Sequence, residues 1–167
     1  MPSTYQKIAT NTLGSSAASI TFSSISGSYT DLVLISSVLG TTSVTSNVVA
    51  SVNSDTSTNY STTYVYGDGS GTGGAGRSTS ANKIYLGQLI SYANTNKPVF
   101  CMTHFQNYSN TTTYKTILSR GNSTPTDVDA LVGMWRSTSA INSITVRFDV
   151  GNLQSGSTFT LYGIKAA

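Results

Sequence analysis

The most reactive side chains of the sequence are its only histidine, His104, and its only cysteine, Cys101. A Ser-His-Asp or Cys-His hydrolase would have to be built around His104, yet neither a nucleophile-elbow motif nor an oxyanion glycine motif accompanies it. One histidine and one cysteine are also too few ligands for zinc. We therefore expect His104 to be a hydrogen-bonded strand histidine and Cys101, which lies in an apolar run, to be a buried, unreactive thiol.

The acidic residues are few, and all six are aspartates. Glycoside hydrolysis needs two carboxyl groups close together, with separated pKa values. Asp127 and Asp129 flank Val128 in an expected loop, whereas Asp55 and Asp68 lie in other loops. An Asp-x-Asp loop is typical of a solvated turn, and a weak calcium site is the alternative. The sequence thus predicts a protein that is not an enzyme and that needs no cofactor or metal.

The segment 71–76 formally fits the glycine pattern of dinucleotide-binding proteins. That pattern holds a pyrophosphate only when a strand enters it and a helix leaves it. Here poor helix formers follow the glycines, so we reject this interpretation. We expect residues 67–80 to be a Gly-rich loop inserted between two strands, flexible unless a partner orders it.

The composition favours an all-β fold. The chain of 167 residues contains 28 Ser and 26 Thr, no Glu, and only 9% charged residues. Ser and Thr compete for backbone hydrogen bonds, and β-branched residues lose rotamers in helices. Turn residues separate the strand-like runs at short intervals. We predict one domain over residues 1–167, an antiparallel β-sandwich of about ten strands with jelly-roll-like connectivity. The expected strands are 6–13, 18–24, 31–39, 48–53, 62–66, 83–89, 99–107, 114–119, 130–136, 143–150 and 158–164.

Strict alternation identifies candidate core residues. It is clearest in the segment 144–150, where apolar residues share one face and Thr145, Arg147 and Asp149 share the other. Such a strand belongs to a sheet with one dry and one wet side. The residues expected in the core are Phe22, Leu34, Trp135, Ile144, Val146 and Phe148.

The charges are scattered singly along the chain, and the formal net charge is only +3. Nucleic-acid-binding proteins usually concentrate Lys and Arg in a patch, so we expect no nucleic-acid partner and read the charges as isolated solvated groups. The longest apolar run, 31–36, is too short to cross a bilayer, and no apolar signal region follows Met1. We expect the chain to fold in a cytoplasm with no membrane contact.

Tyrosines are the main candidates for an interaction surface, since each offers apolar area and a polar tip. Tyr60, Tyr64 and Tyr66 are spaced for one face of a strand, although cross-strand pairing within a sheet is the simpler explanation. The N-terminal residues 1–12 could form either an ordinary first strand or an arm that adds to a neighbouring subunit. The candidate interaction residues are Tyr5, Ile8, Tyr60, Tyr64, Tyr66, Tyr92, Tyr108 and Tyr114.

Three stretches carry a resemblance to a known family. They are residues 3–9 together with 19–25 and 29–32, the segment 135–144 that begins Trp135-Arg136-Ser137-Thr138, and residues 155–166 at the end. In this order they resemble a family of small β-sandwich virion proteins of tailed phages, including phages of cyanobacteria. The Gly-rich insert is outside the resemblance. The resemblance implies a structural protein of the virion and supplies no catalytic motif.

We therefore expect an outer capsid decoration (cement) protein that binds major capsid subunits. The alternative is the receptor-binding head of a tail fibre or spike, which would recognise host surface polysaccharide. The run Leu32–Ile35 is apolar on both faces, so we expect it to be central or covered by a neighbouring subunit, and we predict a homotrimer.

Overall fold

Twelve β-strands make up the computed structural model of the chain, which describes residues 4–40, 46–90, 98–123 and 127–165. These residues contain no helix, and therefore none long and apolar enough to span a membrane. The strands are β1 (Tyr5–Thr12), β2 (Ile20–Phe22), β3 (Asp31–Val38), β4 (Ser46–Val52), β5 (Tyr60–Gly67), β6 (Gly73–Ala81), β7 (Ile84–Ile90), β8 (Val99–Phe105), β9 (Lys115–Ser123), β10 (Asp127–Trp135), β11 (Ile144–Phe148) and β12 (Thr158–Ile164).

The strands form two antiparallel sheets that pack face to face. The larger sheet has eight strands in the order β1-β12-β3-β8-β9-β10-β5-β6, and the smaller has four in the order β2-β11-β4-β7. From β2 onward the chain passes back and forth between the two sheets, with β5-β6 and β8-β9-β10 as hairpin runs inside the larger one. This alternation gives jelly-roll-like connectivity. The predicted all-β antiparallel sandwich is confirmed, with twelve strands instead of about ten.

The Gly-rich segment differs from the expected loop. Only residues 68–72 form the connection, and Gly73–Ala81 is strand β6 at one edge of the larger sheet. Tyr64 of β5 lies directly opposite Gly76, and Tyr66 lies opposite Gly74. A Cβ added at Gly74 would lie 2.8 Å from the Tyr66 hydroxyl, which is closer than van der Waals contact allows. The glycines therefore form a strand because tyrosine side chains occupy the space where their own side chains would be.

The hydrophobic core lies between the two sheets. All six residues expected there are buried, none more than 6% exposed. Trp135 is 2% exposed and stacks on Tyr60 of the neighbouring strand, with ring centroids 6.5 Å apart. Gly133, two residues before Trp135 on the same face, leaves room for the Ile84 side chain of β7, which a Cβ would overlap. Close approach of the two sheets therefore depends on a glycine at this position.

The N-terminal segment forms an ordinary first strand within this chain, and the arm hypothesis is wrong for the described residues. Strand β1 pairs with β12 from Tyr5↔Ile164 to Thr12↔Thr158, with a bulge between Lys7 and Ala9. Ile8 packs against the chain's own core. Its pocket is thus supplied by the same molecule.

Candidate functional site

The surface of the eight-stranded sheet that is turned away from the smaller sheet is apolar; we call it the outer face. Ten large apolar side chains are exposed among the described residues, and eight of them lie on this face. A half-solvated antiparallel sheet ordinarily carries polar side chains there. The eight residues are Tyr5, Ile35, Val65, Phe100, Leu118, Val128, Val132 and Met134.

The strand registers arrange the outer face in rows that cross all eight strands. The first row has Val33, His104, Leu118 and Val132 in the middle and a cation at each end, and the second has a single cation near its centre. The first row is Lys7, Tyr162, Val33, His104, Leu118, Val132, Thr63 and Arg77. The second row is Thr10, Thr160, Ile35, Met102, Arg120, Ala130, Val65 and Ala75.

A groove of about 530 Å³ runs over the two rows. Its lining reaches from Tyr5 on β1 to Val65 on β5, near the opposite edge of the sheet, and its floor includes Leu118 and Val132. One groove can have walls from such distant strands only if the sheet is curved, so the outer face is concave. A concave apolar surface with few polar groups is the usual form of a binding site.

The histidine that sequence analysis singled out lies in this groove and contacts an aspartate. His104 Nε2 is 3.0 Å from Asp31 Oδ2, and Asp31 Oδ1 accepts a 2.6 Å hydrogen bond from the Asn107 amide. Among the described residues, no serine or cysteine side chain forms a hydrogen bond with His104. The pair is a polar element of the groove, with Asp31 held on two sides.

Arg120 is the one charged residue in the second row. Its side chain is exposed, and its guanidinium nitrogen NH2 lies 3.1 Å from the sulfur of Met102 on the neighbouring strand. Arg120 forms no ion pair with any residue that the structure describes. The centre of the apolar groove therefore carries one positive charge.

Two of the proposed interaction tyrosines are in the core, and their assignment to the surface is wrong. Tyr60 and Tyr108 are both 0% exposed. The Tyr60 hydroxyl donates to the Asp55 carbonyl at 3.0 Å and accepts from the Val52 amide at 3.1 Å, and burial raises its pKa to about 12. The Tyr108 hydroxyl donates to the Ser26 carbonyl, and burial likewise raises its pKa. A buried tyrosine hydroxyl needs hydrogen-bond partners, and backbone groups supply them for both residues.

The other candidates are divided among several places. Tyr5 lies in the groove at 49% exposure, whereas Tyr114 is exposed elsewhere. Tyr64 and Tyr66 are half-buried neighbours with ring centroids 6.4 Å apart. Tyr92 lies outside the described residues. Of the described members of the predicted set, Tyr5 and Tyr64 line the groove, and the others do not.

Several chemically notable groups take structural roles. Cys101 is buried as expected, and desolvation together with the Asp129 charge raises its pKa to about 12. Asp127 and Asp129 lie in strand β10, not in the loop we expected, because they continue its pairing with β9. In the described ranges no group of three or more His, Cys, Asp or Glu residues could hold a metal.

One lysine departs from the expectation of solvated charges. Lys115 is 1% exposed, and its Nζ donates to the carbonyls of Thr113 and Thr138 at 2.8 and 3.2 Å. Burial lowers its pKa. The ammonium therefore joins the loop before β9 to the loop after β10, and it is unavailable to a partner.

Sequence reasoning missed most of the outer-face residues, namely Val65, Phe100, Leu118, Val128, Val132 and Met134. Strand β10 carried a usable signal, because Val128, Val132 and Met134 are apolar on the face opposite Leu131 and Trp135. A strand that is apolar on both faces predicts cover on both sides.

Comparison with models of known protein families and with curated proteins gives no match.

Proposed function

We propose that this chain is a structural protein of a bacteriophage virion, an outer capsid decoration protein that binds the major capsid protein through its outer face. The observation that carries the proposal is the concave apolar surface on six of the eight strands. Monomeric soluble proteins rarely expose a contiguous apolar patch of more than a few hundred Å². Burial against a partner removes this surface from water.

The dimensions of the outer face suit a stable protein–protein contact. Eight strands about 4.8 Å apart span about 34 Å, and seven residues at about 3.3 Å each give about 23 Å in the other direction. The product, about 800 Å², is what each partner contributes to an interface of ordinary size. An apolar centre with a polar rim is also the usual anatomy of such an interface.

The resemblance of residues 3–9, 135–144 and 155–166 to virion proteins of tailed phages is the second support. The strands that contain these segments form the sandwich itself: β1 and β12 pair at one edge, and Trp135 lies in the core. The resemblance thus concerns the scaffold. Recognition of a capsid falls to the outer face, where the exposed apolar residues lie.

The copy number of the chain on purified virions tests the proposal directly. Gel densitometry against the major capsid protein should give hundreds of copies per particle, and cryo-electron microscopy should place them on the head. A few to a few dozen copies would instead support the receptor-binding tail protein. Absence of the chain from purified virions would overturn both.

Matched valine substitutions test whether the outer face makes the contact. Val132 lies on the outer face at 53% exposure, and Val150 lies elsewhere at 58%. A charge at either position should leave the melting temperature nearly unchanged, since both side chains are exposed. We expect Val132→Asp to abolish binding to capsids and Val150→Asp to bind as the native chain does. Equal binding of the two variants would assign the contact to another surface.

The expected homotrimer stays a prediction. Leu32, Val33 and Leu34 are buried within this chain, with β3 lying between β12 and β8, and only Ile35 of that run is exposed at 42%. The apolar run is therefore accounted for mainly by a central position in the sheet. Light scattering at micromolar concentration measures the oligomeric state, and a stable monomer would contradict the trimer.

A further inference from the structure

Arg120 indicates which chemical groups a partner that binds in the groove must carry. This residue lies on β9, near the middle of the sheet, between Met102 of β8 and Ala130 of β10. It lines the groove together with Leu118 and Val132. A partner that covers the apolar side chains must also cover the guanidinium, because it stands among them. Any occupant therefore has to compensate a positive charge that loses its water.

The chain itself has no side-chain carboxylate to spare for this charge. Glutamate is absent, so the only acids are Asp31, Asp55, Asp68, Asp127, Asp129 and Asp149. Asp149 pairs with Lys83 at 2.6 Å, and Asp31 pairs with His104 at 3.0 Å.

The remaining acids are also engaged or buried. Asp55 accepts from the Trp135 indole at 2.7 Å, and Asp68 accepts from the Ser70 amide at 2.9 Å within its own turn. Asp129 is 8% exposed, and Asp127 has an interaction within the chain. A second copy could therefore offer Arg120 only side-chain carboxylates that already have contacts in their own chain or are buried, whereas a different protein can present a free one.

We infer that the outer face docks a different protein, which inserts a convex apolar surface carrying a carboxylate that pairs with Arg120. This inference rests on the proposed function and names the chemistry that the capsid surface must present. A second copy of this chain is not the occupant. A guanidinium binds a carboxylate through two parallel hydrogen bonds, and such a pair strengthens when apolar groups exclude water.

The same pair gives the site its specificity. An apolar partner without an acid would leave Arg120 buried and unpaired, which would substantially weaken its binding relative to a partner that supplies the carboxylate. Arginines at the centre of an interface are frequent hot spots. Lys7 and Arg77 stand at the two ends of the first row, where water still reaches them, so they contribute much less.

A lysine substitution at position 120 allows this contact to be detected by covalent cross-linking. In virions assembled with the Arg120→Lys chain as their only source of this protein, a carbodiimide joins a lysine amine to any carboxylate that touches it. Mass spectrometry then identifies both peptides. We expect Lys at position 120 to be joined to an Asp or Glu of another virion protein. The native Lys83–Asp149 pair is the internal positive control, and Arg77→Lys is the matched control at the rim.

The outcomes separate the inference from the proposed function. A cross-link from position 120 to an aspartate of this same chain would overturn the inference and make the face a self-interface. So would the absence of a cross-link at position 120 in particles where Lys83 is joined to Asp149. If the chain is missing from purified virions, the proposed function fails, and the inference fails with it.

Retention on the particle measures how much the contact contributes. We expect Arg120→Gln to weaken capsid binding by about 10- to 100-fold, as loss of a central charge pair does, and Arg120→Glu to abolish it. Arg77→Gln, which removes an exposed cation from the rim of the same face, should change binding by less than about 3-fold. Equal effects of Arg120→Gln and Arg77→Gln would mean that only net charge matters, and would overturn the specific pair.

Discussion

The indole nitrogen of Trp135 donates a 2.7 Å hydrogen bond to Oδ2 of Asp55. This contact joins the end of β10 to the turn that precedes β5. Asn59 and the Ser57 amide also donate to the same carboxylate, at 3.1 and 2.8 Å. Partial burial raises the pKa of Asp55, but these hydrogen bonds outweigh burial and lower the pKa to about 2.

Acid should therefore weaken the fold at this turn. The folded pKa of Asp55, about 2, lies below the value of about 3.9 in an unfolded chain, so its stabilising contribution is complete above about pH 4 and is lost as the pH falls towards 2. Trp135 is the only tryptophan, so its fluorescence reports the loss. We expect Asp55→Ala to be less stable at neutral pH and less sensitive to acid in that interval. Unchanged acid sensitivity in Asp55→Ala would contradict this role.

Trp135 should be a main anchor of the core. It is 2% exposed and stacked on Tyr60, so Trp135→Ala removes a large buried side chain and should cost about 3–5 kcal/mol in the free energy of unfolding. Urea denaturation followed by circular dichroism measures the change. Should the variant keep its stability and lose capsid binding instead, Trp135 would belong to an interaction site.

Gly76 should accept a side chain only if Tyr64 moves, because a Cβ there would overlap the Tyr64 phenol. We expect Gly76→Ala to lower stability by about 1–3 kcal/mol, as overpacking does. Gly14→Ala is the matched control, since a Cβ there would have nothing within 4 Å. Adding Tyr64→Ala should cancel most of the effect of Gly76→Ala. Additive costs in the double variant would show that the tyrosine does not explain the glycine.

Cys101 should be inert in the folded protein. Burial and the nearby Asp129 charge raise its pKa to about 12, so the thiol stays protonated at about pH 8, where an ordinary cysteine is partly ionised. We expect iodoacetamide to leave the native chain unmodified and to alkylate it fully in guanidinium. Rapid alkylation of the native chain would mean that β8 opens readily.

Period-two patterning predicted β11 and its core face well, because Ile144, Val146 and Phe148 alternate with polar residues. Strand β12 was predicted with its observed limits, 158–164. In both cases each residue's neighbours along the chain already decide which side is buried. The local sequence pattern is therefore sufficient to predict β11 and β12.

Strand β6 and the fate of the tyrosines depended on partners distant in sequence. Glycines have poor strand propensity, and only the tyrosines opposite them make Gly74 and Gly76 suitable. Tyr60 and Tyr108 carry the same residue type as Tyr5, but which of them is buried depends on the packing of two sheets. The concave groove likewise arises from six strands in register, and no single segment encodes it.

The pairing of β3 with β12 has a consequence for synthesis. Strand β3 lies between β8 and β12, so its apolar residues gain their last neighbour only when Leu161 leaves the ribosome to lie opposite Leu34. Until then the nascent chain presents an unpaired apolar strand edge, a template for pairing with other chains. Folds dominated by such distant pairings take milliseconds to seconds to form. We therefore expect the chain to depend on chaperones and to form inclusion bodies when it is expressed fast. Slower synthesis at lower temperature should reduce this aggregation.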